Sequence, residues 1–225
     1  MKKIPIYVIL LFCSLPAIAQ VENAKVLTLA KQTEIFNDEV RNYNNLSYPI
    51  YRSFEYKDKT GTYYLTLTES VDGMKNKDTV SKNIKAAIFK KESELKKVAE
   101  INDAIIANEH EEYTIHFWTK YTSFESANEL IVPVLVYGSK AMNGYMDGRV
   151  KIIIWYKNQK IVIRHQNGTL DGERLTTIDK DFYTLPKNIQ KAVKDKMKTI
   201  EQAEQAIFGD EWESKMKKQK REIKG

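Results

Sequence analysis

Cysteine, histidine and glycine are scarce in this chain of 225 residues, which contains one cysteine, three histidines and nine glycines. The sequence has no glycine-rich phosphate loop, no His-x-x-x-His pair and no Ser/His/Asp spacing. Cys13 lies in an apolar segment near the N-terminus. If this segment is removed, the remaining chain has no thiol for a disulfide, for thiol catalysis or for a Cys-based zinc site. Because these motifs are absent, the sequence does not identify a catalysed reaction.

The first nineteen residues are organised like a secretory signal peptide. Two lysines precede a short apolar run, and Ala17-Ile18-Ala19 forms the small-x-small pattern of a cleavage site. The apolar run is shorter than the roughly 20 residues that a membrane-spanning helix needs. We therefore expect an exported protein, in the periplasm or at the cell surface, whose mature chain begins at Gln20. An uncleaved anchor and a lipoprotein modified at Cys13 are the alternatives.

Basic residues exceed acidic ones mainly near the C-terminus of the chain. Residues 186–225 contain eleven basic and seven acidic residues, whereas residues 20–185 contain 23 of each. This distribution does not indicate a nucleic-acid partner and favours a mildly basic surface near an anionic envelope. We expect the basic tail, residues 210–225, to extend into solvent and to make peripheral contact with an anionic membrane or glycan.

Two parts of the chain resemble each other at a nearly constant spacing. Residues 83–105 match residues 149–168 with a shift of 66, and residues 48–70 match residues 115–139 with a shift of 67. The aligned pairs include Ile88 with Ile154, Phe89 with Trp155, Tyr51 with Trp118, and Gly61 with Asn128. Residues 83–105 alone also fit an amphipathic helix, but their match to a clear β-hairpin favours strands.

The repeat predicts an α+β protein that is mainly β. It consists of two related antiparallel four-stranded units, similar to propeller blades, and a C-terminal amphipathic helix. Two similar hairpin pairs with coincidental spacing are the alternative. The expected organisation is an N-terminal segment (20–47), a first repeat (48–110), a second repeat with a polar loop (111–185), a helix (186–209) and the basic tail. Pro186 and Gly209 mark the ends of that helix.

Several stretches of the second repeat resemble a known group of proteins. They are "FWTKYTSFE" (117–125), "PVLVYGS" (133–139), "NGYMDGRVKI" (143–152), "IRHQNGTLDGER" (163–174) and "DFYTLPKNIQ" (181–190). The chain resembles, over residues 48–212, exported proteins of Bacteroidota-type bacteria that are labelled surface polysaccharide biosynthesis proteins. The resemblance implies a role in making or assembling surface polysaccharide and specifies no reaction.

Members of that family usually carry a D-x-D-x-D-G loop like the calcium loops of VCBS or FG-GAP repeats. Carboxylates at alternate positions of such a loop converge on a hard cation. The corresponding loop here, residues 124–130, is degenerate and retains Glu125, Asn128 and Glu129. The resemblance alone would imply calcium, but the residues present predict no metal and no other cofactor.

Polar residues are dense after the last strand of the second repeat. His165, Gln166, Asn167, Asp171, Glu173 and Arg174 fall within ten positions. They could bind a ligand, with His165 as a general base or the two acidic residues as a carboxylate pair. The alternative is a surface turn, in which Asn167-Gly168 and Asp171-Gly172 are turn formers and Glu173 pairs with Arg174.

Two further groups of side chains are candidates for binding. Tyr156, Trp118, Trp155 and Tyr145 could stack on sugar rings, or they could pack in the core. Trp155 and Tyr156 adjoin on one strand and must face opposite sides of the sheet. His110 and His116, with Glu109, Glu111 and Glu112, could hold a metal ion, or they could belong to a solvated connection between the repeats.

Together these patterns indicate a non-enzymatic binding or scaffold module of the cell envelope. Its expected partner is an envelope glycan or an envelope protein complex, and no nucleic acid is expected. One alternative is a carbohydrate-active enzyme that uses residues 165–181. Another is a subunit that docks to an envelope complex through its sheet edges and terminal helix.

Overall fold

The computed structural model describes residues 23–105, 112–141, 148–168 and 170–225. The N-terminal segment contains β1 (Ala24–Val26), α1 (Leu29–Ile35) and α2 (Asp38–Tyr43). The first repeat contains β2 (Ile50–Asp58), β3 (Gly61–Glu69), β4 (Gly73–Lys75), β5 (Asp78–Val80), β6 (Asn83–Lys91) and β7 (Leu95–Ala104). The second contains β8 (Glu112–Phe117), β9 (Ser123–Ala127), β10 (Leu130–Ala141), β11 (Arg149–Tyr156), β12 (Gln159–Gln166) and β13 (Leu175–Ile178). The C-terminal segment contains α3 (Lys187–Gln202), α4 (Trp212–Lys217) and β14 (Glu222–Lys224).

The strands form two antiparallel sheets, which confirms the prediction of a mainly β protein of the α+β class. The first sheet has the order β1-β2-β3-β6-β7, and the second has the order β14-β13-β12-β11-β10-β8, with β9 also paired to β10. Strands β4 and β5 form a separate hairpin between β3 and β6. The four long strands of each repeat are therefore neighbours in one sheet. In the first repeat they are β2, β3, β6 and β7, with the β4-β5 hairpin outside this sheet. In the second repeat the first strand is divided into β8 and β9, and the others are β10, β11 and β12.

The two sheets pack face to face and are covered by helices on their outer faces. Between the sheets, Phe54 and Leu65 of the first sheet share a core with Leu135 and Trp155 of the second. On the outer face of the first sheet, Phe36 and Leu46 from the N-terminal segment pack on Tyr64, Ala87 and Phe89. Helices α3 and α4 cover the outer face of the second sheet. The resulting order is helices, sheet, sheet, helices.

Strand β10 shows how the sequence produces this arrangement. Val132, Val134 and Val136 face the helices, whereas Leu135 and Tyr137 face the first sheet. Successive side chains of a strand point to opposite faces, so a strand that is covered on both sides needs apolar residues at every position. The near-continuous run "IVPVLVY" meets that requirement. Residues 83–105, which also fitted a helix, form the β6-β7 hairpin.

The C-terminal helix packs on the second sheet through one apolar face. Ile189, Val193, Met197 and Ile200 recur every three or four residues along α3 and are fully buried. Such spacing places all four side chains on one side of a helix. The helix ends at Gln202, seven residues before the expected stop at Gly209.

The prediction that residues 210–225 extend into solvent is wrong. Trp212 and Met216 of α4 and Ile223 of β14 are buried in the core beneath the second sheet. Strand β14 pairs with β13 through Thr176 and Ile223. The segment docks on the second sheet despite its many lysines, because each of its three apolar residues lies at a position that faces the sheet.

The internal repeat is visible in the strand pairing, but the predicted offset of its first hairpin is wrong. Ile88 pairs with Leu65, and Ile154, 66 residues later, pairs with Val134. The equivalent positions Leu65 and Val134 are therefore 69 residues apart, not 67. The difference arises because a 3-10 turn, Thr119–Tyr121, interrupts the second copy between β8 and β9.

Candidate functional site

His165 and Asn167 lie inside the protein, with 2% and 7% of their surfaces exposed. The His165 Nε2–H donates to Oδ1 of Asn167 over 2.6 Å, and Nδ1 accepts from the Thr176 hydroxyl over 2.8 Å. The ring also packs against Phe208, with 4.8 Å between ring centroids. Both nitrogens of the imidazole therefore have neutral protein partners, which fits a structural role under the C-terminal segment.

Burial lowers the pKa of His165 to about 4, and the positive charge of Arg174 acts in the same direction. The hydrogen bond to Asn167 opposes this shift. Removing a charged imidazolium from water is unfavourable, so the neutral form is favoured. The side chain is thus neutral at neutral pH and is held away from solvent, which does not suit a general base for an external substrate.

The two acidic residues and the arginine of the predicted polar site form a surface turn. The Arg174 guanidinium donates to Oδ1 of Asp171 and, over 3.1 Å, to the carbonyl of Gly168. Glu173 accepts the backbone N–H of Leu170 over 3.1 Å. The expected pair between Glu173 and Arg174 is therefore wrong, because Asp171 is the partner of Arg174.

Gln166 lies on the opposite side of β12 from His165 and is exposed. Its side-chain amide donates to the carbonyl of Gly148 over 3.3 Å and to the carbonyl of Asn167 over 3.1 Å. The structure therefore divides the predicted cluster between the interior, this exposed strand face and the surface turn.

The degenerate calcium loop is a two-residue hairpin turn between β9 and β10. Asn128 and Glu129 both have positive φ, 53° and 62°, as in the type I′ turns that join twisted strands. The Glu129 carboxylate accepts from Nζ of Lys59 over 2.9 Å, and Glu125 lies 3.7 Å from Nζ of Lys196. These carboxylates thus pair with separate lysines, and the turn is too tight to wrap a cation.

Strand β8 has an outer edge that is covered by the first repeat. The N–H of Ile115 donates to the carbonyl of Ser81 over 2.8 Å, and the N–H of Phe117 donates to Oε1 of Glu69 over 2.8 Å. The Glu69 side chain therefore takes the place of a neighbouring strand at an edge that would otherwise offer free N–H groups. This contact also links the two sheets.

His116 connects Glu69 to Thr114 at the same edge. Its Nδ1 lies 2.8 Å from Oε2 of Glu69, and its Nε2 lies 2.6 Å from Oγ1 of Thr114. One neutral tautomer satisfies both contacts, with Nδ1–H donating to the carboxylate and Nε2 accepting from the hydroxyl. Both nitrogens are thus engaged, which does not favour the metal hypothesis. His110, Glu109 and Glu111 lie outside the described residues.

Glu69, Thr114 and His116 border a cleft of about 590 Å³ at the end of the sandwich where the long connections lie. We call it the connection-end cleft. Further lining residues are Tyr51, Ser70, Lys75, Tyr113 and Lys140. It therefore combines a histidine, a buried carboxylate, hydroxyl groups and two lysines in one concave surface.

A second cleft, of about 540 Å³, lies at the opposite end, near the tight turns of the hairpins. We call it the hairpin-end cleft. Its aromatic residues are Tyr56, Tyr63, Trp155 and Tyr156, and its lysines are Lys90, Lys96 and Lys157. The rings of Tyr56 and Tyr63 are stacked, with centroids 5.2 Å apart.

Two aromatic candidates from the sequence line this cleft, the buried Trp155 and the half-buried Tyr156. Tyr156 is the more accessible of the two. Its hydroxyl accepts from Nδ2 of Asn128 over 2.9 Å, and Nζ of Lys157 lies 5.3 Å from its ring centroid. Trp155 faces the core between the sheets, whereas Tyr156 packs against the core on the other face. The predicted opposite orientation of the two side chains is thus found. Trp118 is half-buried against Tyr121, and Tyr145 lies outside the described residues.

The described residues hold neither a metal-ligand cluster nor a membrane-spanning helix. Over residues 23–105, 112–141, 148–168 and 170–225, no three His, Cys, Asp or Glu side chains group as metal ligands. In the same part of the chain, no helix has both the length and the apolar character needed to cross a bilayer.

Sequence reasoning missed Glu69 and Thr114. The sequence did hold a signal for Thr114, because Thr114 and His116 are two positions apart on a strand and so share a face. Glu69 carried no such signal, since 47 residues separate it from His116 and only the packing of the sheets brings the two together.

Comparisons of the chain with family models, with curated proteins and with solved structures found no match. The polysaccharide role therefore stays a prediction from resemblance, and the geometry of the two clefts carries the functional argument.

Proposed function

We propose that this chain is an exported cell-envelope protein that binds glycan in the hairpin-end cleft and thereby supports surface polysaccharide biosynthesis or assembly. The observation that carries the proposal is the grouping of four aromatic side chains and three lysines around a cleft of about 540 Å³. The proposed role of this cleft is glycan binding and not catalysis.

The lining of the cleft fits a sugar ligand. Ligand clefts combine apolar surface with a few polar groups that fix orientation. Tyr63 and Tyr156 are half-buried, so each presents part of a ring and a hydroxyl to the cleft. Lys96 and Lys157 are exposed at its border and supply donors for ring hydroxyls or acidic groups. Trp155 and Tyr56, which are buried, make the floor rigid.

The alternative of an enzyme that uses residues 165–181 has less support. His165 is buried and hydrogen-bonded to neutral groups, and Asp171 is paired with Arg174.

The export part of the proposal rests on residues 1–19, which lie outside the described residues. N-terminal sequencing of protein from the envelope fraction tests it, with Gln20 as the expected first residue.

Affinity electrophoresis through gels that contain neutral or acidic bacterial polysaccharide tests the binding. The Tyr156→Ala variant should bind about twofold to tenfold more weakly, because an aromatic contact contributes about 0.5–1.5 kcal/mol. Tyr43→Ala is the matched control, since Tyr43 is 85% exposed on α2 and lies outside both clefts. Equal retardation of the two variants, or no retardation of the unaltered protein in any gel, would contradict the proposal.

A further inference from the structure

The hydrogen bonds of Thr114, His116 and Glu69 have the direction that activates a hydroxyl group. The Thr114 oxygen accepts the N–H of Ser81 over 3.0 Å, which leaves its proton to be donated. The nearest acceptor is Nε2 of His116 at 2.6 Å, and the carbonyl of Ser81 is farther away at 3.4 Å. Glu69 accepts the Nδ1–H over 2.8 Å and so fixes the tautomer. A nucleophile, a base and an orienting group thus follow one another at hydrogen-bond distance.

We propose that the connection-end cleft hydrolyses acyl esters, with Thr114 as the nucleophile. His116 is the general base and then the general acid, and Glu69 is the positioning residue. This activity is independent of glycan binding, because the two clefts lie at opposite ends of the sandwich and the residues lining them do not overlap.

The reaction balances with water as the second substrate. The Thr114 oxygen forms a bond to the ester carbonyl carbon while its proton moves to Nε2 of His116. The tetrahedral intermediate collapses, the bond to the alcohol oxygen breaks, and the alcohol leaves with the proton from His116. Water then attacks the acyl-threonine and transfers a proton to His116. The intermediate releases the carboxylic acid and returns the proton to Thr114.

The surroundings of the chain suit this chemistry. Glu69 is 9% exposed and its second oxygen accepts the N–H of Phe117, so the carboxylate is held rigidly. Lys140 pairs with Thr114 across β8 and β10, and paired residues of an antiparallel ladder share a face. Its side chain therefore leaves the same face of the sheet as the nucleophile and lines the same cleft. A lysine there can stabilise the negative charge that develops on the carbonyl oxygen.

The residues of the hydrogen-bonded chain border the cleft. Thr114 is 3% exposed, while His116 is half-buried, and both border the open volume of about 590 Å³. A small acyl group fits such a space, and the hydroxyls of Tyr51 and Tyr113 offer hydrogen bonds to the alcohol part of an ester.

The test measures hydrolysis of p-nitrophenyl acetate by the full chain, together with covalent labelling by a fluorophosphonate probe. The label should map to the peptide that contains Thr114. Thr114→Val should lower kcat/KM by about 100-fold or more, and Thr114→Ser should retain activity. Thr79→Val is the matched control, because Thr79 lines the same cleft but lies outside the hydrogen-bonded chain.

Glu69→Gln provides the readout for the positioning role. It should lower kcat with little change in KM, because the amide can still accept the Phe117 N–H but offers His116 no charge. Hydrolysis no faster than in buffer, labelling elsewhere, or equal rates for Thr114→Val and Thr79→Val would overturn the proposal. If Thr114→Val does not fold, the activity of Thr114→Ser and the mapped label on the unaltered protein still decide it. Failure of this test leaves glycan retardation in the gels unaffected, so the two proposals fail separately.

Discussion

Acidification below neutral pH should destabilise the protein through His165. The folded-state pKa of about 4 lies below the ordinary value of 6.5. Between these values the unfolded chain binds a proton that the folded chain does not, so the free energy of unfolding falls as the pH falls. The loss begins near pH 6.5 and is complete below about pH 4.

The magnitude follows from the size of the shift. One pKa unit corresponds to about 1.4 kcal/mol, so a difference of about 2.5 units between 6.5 and 4 gives a maximum loss of about 3 kcal/mol. Between pH 7 and pH 5 the expected loss is about 2 kcal/mol. His165 is 2% exposed, so solvent screens this effect little. A domain with about 5–15 kcal/mol of stability would lose a substantial part of it.

Urea denaturation followed by tryptophan fluorescence at several pH values between 7 and 5 measures this loss. His165→Gln is the comparison, because glutamine can still hydrogen-bond but does not titrate. The variant should be less stable at pH 7, but its stability should fall less with pH. The half-buried carboxylate of Asp103 stays ionised over this pH range. Burial opposes ionisation of Asp103, but Lys151 outweighs it and lowers the Asp103 pKa. Parallel pH profiles for the two proteins would refute the reasoning.

Two further predictions concern the surface turn and the C-terminal strand. Gly168→Ala should cost about 1–3 kcal/mol of unfolding free energy, because a β-carbon there would lie 2.4 Å from a side-chain carbon of the following turn. Gly172→Ala, with no atom within 4 Å of the new methyl group, should change stability by less than about 0.5 kcal/mol in the same urea titrations. Ile223→Ala should cost about 2–4 kcal/mol, because Ile223 is 1% exposed. The exposed neighbour Glu222→Ala is its control, and equal melting temperatures for these two variants would show that β14 is not docked.

The sequence was sufficient to predict the long strands of the two repeats and their antiparallel pairing, but not the short strands β1, β4, β5, β13 and β14. Alternation, tight turns and the internal repeat together predicted the antiparallel hairpins, including the β6-β7 hairpin, whose lysine and glutamate content fitted a helix equally well. The offset of the first hairpin was missed because the 3-10 turn at Thr119–Tyr121 has no distinctive composition. The layer order was also missed, since nothing in the sequence states which face of one sheet meets the other.

The C-terminal segment shows a different limit of sequence reasoning. Counting charge over residues 210–225 gave a basic tail, whereas the fold depends on the positions of Trp212, Met216 and Ile223. A short segment gains its stability from burial against the sheet more than from its own propensity. Average composition therefore could not separate a docked segment from a solvated one.

Density of polar residues along a strand is a poor guide to a site, and β12 gives the physical reason. Neighbouring residues on a strand point to opposite faces, so Arg164 and Gln166 are exposed while His165 and Asn167 are buried. A cluster in sequence is thus divided by the sheet. The clefts are instead lined by residues that are distant in sequence and meet only through packing: Tyr63 and Tyr156 border one, and Glu69 and His116 border the other. A search for function in such a sandwich should therefore begin at the two open ends between the sheets, where side chains from both repeats converge.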